Sequence, residues 1–274
     1  MSVTITAADI NKLRQATGAG MLDCRKALTE SNGDFEAAID WLRKQGQKVA
    51  AKRSDREAKE GVVIAQTTAD NKSGIVLCVS AETDFVSNNA EFVSFVKSIA
   101  DAAIANNVNS AEELNEVVIN GAKVSDMIND KLAAIGEKIG ITRFEKITAP
   151  YVASYIHGAN RMGVLVALTK VAPEAGKDVA MQIAAMNPLA VDESSIAPET
   201  IAREKEIAIE QIKAEGKPAE MAEKIAVGKV NKFLKDNTLI HQPFVKDNGK
   251  SVADYLKSID ADLKVTEFKR VALG

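Results

Sequence analysis

The chain has 274 residues, 46% of them hydrophobic, which is enough to build two or three small cores and favours several structural units over a single one. Its 35 basic and 38 acidic side chains give a formal charge of −3, so no overall positive field is available to attract nucleic acid. No apolar run approaches the roughly 18 to 20 residues that span a bilayer, and the first residues lack the pattern of a signal peptide, so we expect a soluble, cytoplasmic protein without a membrane partner.

Three short helical patterns fill residues 1–46. Thr6 precedes the first helix, the glycines of the Thr-Gly-Ala-Gly segment at 17–20 separate it from the second, and Asp34 can cap the third. Apolar residues recur at the helical interval in all three patterns. The predicted inward-facing residues are Ile10, Leu13, Met21, Cys24, Leu28, Phe35, Ala38, Ile39 and Leu42. We predict a three-helix docking domain over residues 1–46, with a marginal core because the unit is small.

A basic stretch follows and is predicted to be a linker over residues 47–60. No aromatic residues interleave with its charges, so a solvated helical linker is favoured over an RNA-binding groove. Direct nucleic-acid binding is therefore not expected, although an RNA-associated adaptor is kept as the alternative function. The basic residues, the first of which precedes the linker, are Lys44, Lys48, Lys52, Arg53, Arg56 and Lys59.

Strand and helix patterns alternate through residues 61–149, the predicted core subdomain N. Two β-branched stretches, 61–68 and 73–80, flank a turn signal at 70–72 and predict an antiparallel hairpin. Asn89 then begins a long helical pattern. Its inward residues are predicted to be Phe92, Val96, Ile99 and Ala103. Further helical patterns occupy 111–119 and 125–135, and a further strand occupies 141–147.

A second subdomain, C, is predicted over residues 150–190 and 238–274. It begins with a strand pair and continues into a helix that ends at Asn187, because a residue before proline is pushed out of helical geometry. The predicted strands and helices are 152–157, 162–170, 242–245, 251–259 and 264–271. Together the elements of the chain predict an α+β fold with small antiparallel sheets.

Residues 191–237 are predicted to form a helical hairpin inserted into subdomain C. Two charged helical arms meet at Gly216, Lys217 and Pro218, and each arm has only a narrow apolar seam. So narrow a seam favours a hairpin that projects into solvent. Self-association of the chain into a homodimer is one role that the sequence leaves open for this hairpin. The predicted seam residues are Ile201, Ala208, Ile212, Met221 and Ile225.

The sequence contains none of the common catalytic motifs: no phosphate loop, no dinucleotide fingerprint, no nucleophile elbow and no paired metal-ligand spacing. His157 and His241 lie in separate predicted elements without a nearby nucleophile, and His157 is most simply a polar strand-end residue. Cys24 and Cys78 are interpreted as reduced packing thiols. We therefore expect no cofactor, no metal and no enzymatic activity, which disfavours a third interpretation, a small-molecule enzyme.

Phe85 is the residue whose placement matters most. An aromatic residue just past a strand is ordinarily part of the core. Five polar residues surround Phe85, however, and that neighbourhood is typical of a loop tip, where binding residues concentrate. The polar neighbours are Thr83, Asp84, Ser87, Asn88 and Asn89.

The segment Thr83-Asp84-Phe85-Val86, together with the run at 13–28 that contains the Thr-Gly-Ala-Gly turn, resembles bacterial translation elongation factor Ts. This resemblance implies a guanine nucleotide exchange factor for the GTPase elongation factor Tu. In that family the Thr-Asp-Phe-Val segment enters the nucleotide domain of the GTPase near its magnesium. The resemblance makes Phe85 the wedge and Asp84 a polar contact at its base, while Thr83 and Val86 hold the loop.

The same resemblance implies further partner contacts. Those to the nucleotide domain match Arg14, Met21, Leu22, Arg25, Ile135 and Gly136, and those to another domain of the partner match His157, Phe244 and Val245. The resemblance also implies a bundle of the ubiquitin-associated type at the N-terminus. From the residues alone, Met21 and Leu22 could equally be core residues of the first bundle, and the glycines simply turn residues.

Overall fold

The computed structural model describes residues 4–53, 55–216 and 218–274, and it confirms the α+β class. The helices are α1 Ala7–Thr17, α2 Met21–Glu30, α3 Phe35–Lys52, α4 Asp84–Ser87, α5 Ala90–Ala105, α6 Ala111–Glu116, α7 Val124–Ile135, α8 Pro173–Met186, α9 Pro198–Ala214, α10 Ala219–Asn237 and α11 Val252–Ile259. The strands are β1 Glu60–Thr67, β2 Ser73–Ala81, β3 Val118–Ile119, β4 Ala122–Lys123, β5 Gly140–Thr148, β6 Tyr151–His157, β7 Met162–Leu168, β8 Pro243–Phe244, β9 Asp247–Ser251 and β10 Val265–Ala272.

Helices α1 to α3 have a small core of their own, as the sequence predicts. Thr6 caps α1 through a reciprocal pair of hydrogen bonds with Asp9, which satisfies amide groups that the helix itself leaves free. The prediction that Met21 faces this core is wrong, because its side chain is 50% exposed at the first position of α2. The buried residues of the cluster are Leu13, Ala19, Cys24, Ala27, Leu28, Ala38 and Leu42.

Helix α3 is longer than the three-helix prediction requires, because it continues past residue 46 to Lys52. Its second half lies against α7. A methyl group built on Gly46 would stand only 2.7 Å from the Cβ of Ala133, so the two helices approach as closely as a glycine allows. Arg43 Nε lies 3.7 Å from a carboxylate oxygen of Asp130 across the same contact. The N-terminal helices are thus packed on α7 through α3. The domain boundary at residue 46 stays a prediction.

Two three-stranded antiparallel sheets form the centre of the molecule. The first has the strand order β1-β2-β5 and the second has the order β10-β7-β6. Helices α5 and α7 supply residues to the core on one face of the first sheet, and α8 and α11 do the same for the second. The predicted hairpin of β1 and β2 is confirmed, with Val62 opposite Val79. So are the four inward residues of α5, which are all buried.

The two sheets pack against each other through their remaining faces. Val63 and Val76 from the first sheet meet Leu165 and Val271 from the second in a separate apolar cluster. A side chain on Gly163 would come within 2.8 to 3.0 Å of Val76, Val63 and Ala65, so this strand position has room only for glycine. This close packing makes the two sheets a rigid base for the loops at their ends.

The region predicted to be helical over 111–119 is only partly so. Helix α6 ends at Glu116, and β3 and β4 then form a small hairpin around Asn120 and Gly121, both of which have positive φ. Asn-Gly is a strong two-residue hairpin signal, and here it overrides the helical apolar spacing.

Helices α9 and α10 form a helical hairpin, and the seam predicted for its second arm is wrong at Met221 but correct at Ile225, which is half-buried against the cluster between the arms. Met221 is exposed, and the buried positions nearest to it are Ala222 and Ala226, which meet Ala208 and Ile212 of the first arm. Small residues let the two arms approach closely. Lys217, in the predicted turn, lies outside the residues that the structure describes.

Cys24 and Cys78 are both buried and free, in separate cores, and burial raises the pKa of each thiol. Within the ranges that the structure describes, none of the helices combines the length and apolar content needed to cross a bilayer.

Candidate protein-docking surface

Phe85 lies on the outside of the molecule. It is the second residue of α4, a single helical turn separated from β2 by Glu82 and Thr83, and its side chain is 87% exposed. The next residue, Val86, turns inward against the core of the first sheet, and Ser87 is buried. The expectation that an aromatic residue just past a strand belongs to the core is therefore wrong for Phe85. Its side chain is exposed, as its polar neighbours predict, but it lies on a helical turn and not in a loop.

The base of this turn is held by a carboxylate from a distant part of the chain. Glu137 Oε2 accepts the backbone N–H groups of Glu82 and Thr83 at 3.1 and 3.0 Å. Its other oxygen accepts the Thr83 hydroxyl at 2.6 Å. Both the amide and the hydroxyl of Thr83 are thus bound by Glu137.

Glu82 connects the same two segments in the opposite direction. Its carboxylate accepts the backbone N–H of Lys138 at 2.7 Å and pairs with Arg53 at 2.7 Å and Arg56 at 3.2 Å. The Lys138 amide and then the two guanidinium groups lower the pKa of Glu82 to about 2. Arg53 directly follows α3, so the N-terminal helices are tied to the Phe85 turn by charge as well as by packing against α7.

This depressed pKa predicts an acid-dependent loss of stability. Glu82 titrates near 4.5 in its ordinary state and near 2 in the folded chain, so its stabilising contribution is fully present above about 4.5 and is lost as the pH falls through about 2. We expect Glu82→Gln to lower the free energy of unfolding by about 2 kcal/mol near neutral pH. That difference from the wild-type chain should shrink in acid. Urea unfolding across the pH range measures it.

The matched control is Glu57→Gln, which removes a carboxylate that pairs with Lys59 in solvent. Exposed ion pairs contribute little, so this variant should unfold at the same urea concentration as wild type. Equal losses for the two variants at every pH would contradict the role given to Glu82.

A groove of about 270 Å³ joins three segments that are far apart in sequence. The turn before α2 contributes Gly18, the α4 turn contributes Phe85 and Val86, and the end of α7 contributes Ala134 and Ile135. The other lining residues are Asn89, Glu91, Phe92 and Lys131. Predicted contact segments from both the N-terminal unit and the first sheet unit therefore border one concave surface, which we call the Phe85 groove.

The remaining predicted contacts of the N-terminal unit also face solvent. Leu22 is 81% exposed, and Arg14 and Arg25 are exposed with it on α1 and α2. The interpretation of Met21 and Leu22 as bundle core is wrong. At the far side of the groove, Gly136 ends α7 with a φ of 77°, a left-handed conformation that glycine adopts without strain, and this turns the chain from Ile135 toward Glu137.

The residues predicted to meet a second region of the partner belong to the second sheet unit and do not line the Phe85 groove. His157 is exposed at the end of β6, where Nδ1 lies 3.0 Å from the Tyr155 hydroxyl. Phe244 is only 3% exposed, because its ring stacks on Tyr255 with the centroids 4.1 Å apart. The Val245 side chain is exposed, and the Val245 N–H donates to buried Gln182 at 2.8 Å.

Sequence reasoning did not identify Arg53, Glu82 or Glu137 as site residues. Each belongs to a pairing across dozens of residues of sequence, and local spacing contains no signal for such a pairing. Among the residues that the structure describes, no group of three or more histidine, cysteine, aspartate or glutamate side chains is placed to hold a metal ion.

Comparison with known proteins assigns the family. The family model described as Elongation factor TS matches residues 82–274, from Glu82 to the last residue. A protein named Elongation factor Ts from Flavobacterium psychrophilum is 52% identical, with 99% of each chain covered. One of the same name from Christiangramia forsetii is 50% identical over 98% of this chain and 99% of its own. Another, from Methylococcus capsulatus, is 43% identical over 99% of this chain and 93% of its own. This chain belongs to the elongation factor Ts family.

Proposed function

We propose that this chain is the guanine nucleotide exchange factor for elongation factor Tu and acts in the cytoplasm during the elongation step of protein biosynthesis. The observation that carries the proposal is Phe85, an aromatic side chain almost wholly exposed on a turn whose base is fixed by hydrogen bonds. An exposed phenyl ring on a rigid support is favourable for insertion into another protein, because little conformational freedom is lost on binding.

Exchange requires binding but no chemistry by the factor itself. A protein that binds the nucleotide-free GTPase more tightly than the nucleotide-bound form must weaken nucleotide binding by the same factor. Each tenfold weakening requires about 1.4 kcal/mol of differential binding. Burying one phenyl ring only in the nucleotide-free state supplies about 2 to 3 kcal/mol, which is the right magnitude. We therefore propose an exchange factor that is not an enzyme.

The proposed mechanism acts on the magnesium of the partner. Phe85, with Asp84 at its base and Thr83 and Val86 holding the turn, enters the nucleotide domain beside the metal and displaces it. Loss of the metal removes counter-charge from the diphosphate, so GDP leaves faster. GTP then reloads the empty site because it is present in excess, and the factor itself sets no direction.

The other exposed residues would hold the partner around this insertion. Contacts to the nucleotide domain are proposed for Arg14, Met21, Leu22 and Arg25 of the N-terminal helices, and for Ile135 and Gly136 at the end of α7. His157 and Val245 are proposed to contact a second domain of the GTPase, with the buried ring of Phe244 supporting Val245 from beneath.

The alternative of an RNA-associated adaptor has less support, because much of the basic stretch is already paired with carboxylates of this chain. Arg53 and Arg56 bind Glu82, and Lys59 pairs with Glu57. Salt-dependent RNA binding without any effect on nucleotide release would favour that alternative.

The direct test mixes the chain with elongation factor Tu that holds fluorescent GDP and follows its release against excess unlabelled nucleotide. We expect release to accelerate with concentration of the chain and to saturate. A parallel series in excess EDTA, which removes magnesium beforehand, should show a much smaller further acceleration, because the step that the chain performs is already complete. Release that is unchanged by a saturating amount of the chain would refute the proposed function.

A further inference from the structure

The α4 turn cannot owe its geometry to its own helix. A helix of four residues has too few internal hydrogen bonds to be stable alone, so tertiary contacts must orient Phe85. Val86 and Ser87 anchor the turn from below. The direction of its entry is set just before it, at Glu82 and Thr83, where the backbone amides are bound by Glu137.

Two carboxylates cross-connect the segment that leads into Phe85 with the one that leaves Ile135. Glu137 accepts from the 82–83 backbone, and Glu82 accepts from the Lys138 backbone, so each segment supplies both an amide donor and a carboxylate acceptor. Arg53 attaches the end of α3 to the same connection through Glu82. The segment that enters the α4 turn and the segment that follows α7 are thus hydrogen-bonded to each other.

We propose that Glu137 is a positioning residue that, together with Glu82, fixes the Phe85 ring relative to Ile135 and the N-terminal helices before the partner arrives. The inference rests on the proposed exchange function and adds to it a residue that does not need to contact the partner. Without Glu137, water can replace its hydrogen bonds because the site is only part-buried. The fold then persists while the direction of the α4 turn loosens.

Glu137→Ala and Glu137→Gln separate positioning from simple loss of stability. The glutamine oxygen can accept both backbone N–H groups, and its amide can donate to the Thr83 oxygen, so the geometry is retained. We expect Glu137→Ala to slow stimulated GDP release about fivefold at subsaturating concentration, which corresponds to about 1 kcal/mol. Glu137→Gln should stay within about twofold of wild type, because the hydrogen-bond pattern survives.

A double-mutant cycle with Phe85→Ala tests whether Glu137 acts through the ring. If it does, adding Glu137→Ala to Phe85→Ala should slow release by less than about twofold, because the group being positioned is gone. Fully additive losses would overturn the inference, and so would a Glu137→Ala variant as active as wild type. Both outcomes leave the proposed function intact. A wild-type chain that does not stimulate release would instead refute both the proposed function and the positioning role of Glu137.

A measurement on the free chain needs no partner. Hydrogen exchange at the amides of residues 82 and 83 should speed up in Glu137→Ala and stay slow in Glu137→Gln, because Glu137 is the acceptor of both amides. Unchanged exchange in the alanine variant would overturn the inference. If that variant fails to fold, Thr83→Val takes its place in both experiments, since it removes only the 2.6 Å hydroxyl contact. Thr83→Val should slow stimulated GDP release and speed up amide exchange, each by less than Glu137→Ala does. Wild-type values in both measurements would contradict the inference.

Discussion

Phe85→Ala should slow the GDP release stimulated by this chain about 30-fold, equivalent to about 2 kcal/mol, the contribution of one buried aromatic side chain at the centre of an interface. The same substitution should leave thermal unfolding unchanged, because the ring contributes almost nothing to the chain's own core at 87% exposure. Stopped-flow release from elongation factor Tu measures the first effect, and calorimetry of the free chain measures the second.

Two further variants test whether the loss of stimulated release is specific to the Phe85 ring. Phe85→Leu keeps an apolar side chain of reduced volume and should fall between wild type and Phe85→Ala. Val171→Ala removes a side chain that is 72% exposed, does not line the Phe85 groove and should leave release unchanged. Undiminished release by Phe85→Ala, or an equal loss in the Val171 variant, would contradict the role of the ring as a wedge.

Local chemistry was sufficient to predict most of the elements. Thr6 and Asn89 cap α1 and α5 through side-chain oxygens, and the apolar interval behind each cap identified the buried face correctly. The β1–β2 hairpin was equally accessible, since its turn and both strands are contiguous. Signals of this kind act within a few residues, so they are present in the sequence itself.

The sequence-based predictions failed for residues whose burial or hydrogen-bond partner depends on tertiary packing. Residue spacing alone cannot distinguish an exposed Met21 from a buried Cys24 when both belong to one apolar pattern. The resemblance implies that Phe244 contacts a partner, yet its ring is covered by Tyr255 from a neighbouring helix. The acceptor for the Thr83 amide lies 54 residues further along the chain, a pairing that only the fold creates.

The same limitation applies to the Phe85 groove as a whole. Gly18, Phe85 and Ile135 were each predicted to lie in or beside a contact segment, but their convergence depends on how α3 sits against α7. The resemblance implies the contact residues one at a time. In the structure Gly18, Phe85 and Ile135 line one composite surface, so we expect a change at the contact between α3 and α7 to affect binding without altering any of these residues.

Gly46→Leu is the sharpest test of that composite surface. Even a methyl group at this position would meet the Cβ of Ala133 at 2.7 Å, so a leucine must push α3 away from α7 and carry Gly18 away from Ile135. Overpacking of this kind costs about 1 to 3 kcal/mol, offset by about 1 kcal/mol because leucine favours a helix over glycine. We expect stability to change modestly while stimulated GDP release falls about tenfold, since both rims can no longer be engaged together.

The control for Gly46→Leu exchanges the two partners of the contact. Gly46→Ala combined with Ala133→Gly moves one methyl group from α7 to α3, which restores room at the contact and leaves total helix propensity nearly unchanged. Gly46→Ala alone should therefore slow release, and adding Ala133→Gly should recover it. A leucine variant that stimulates release as fast as wild type would show that the N-terminal helices need not be held on α7. In that case the two rims of the Phe85 groove would bind the GTPase independently.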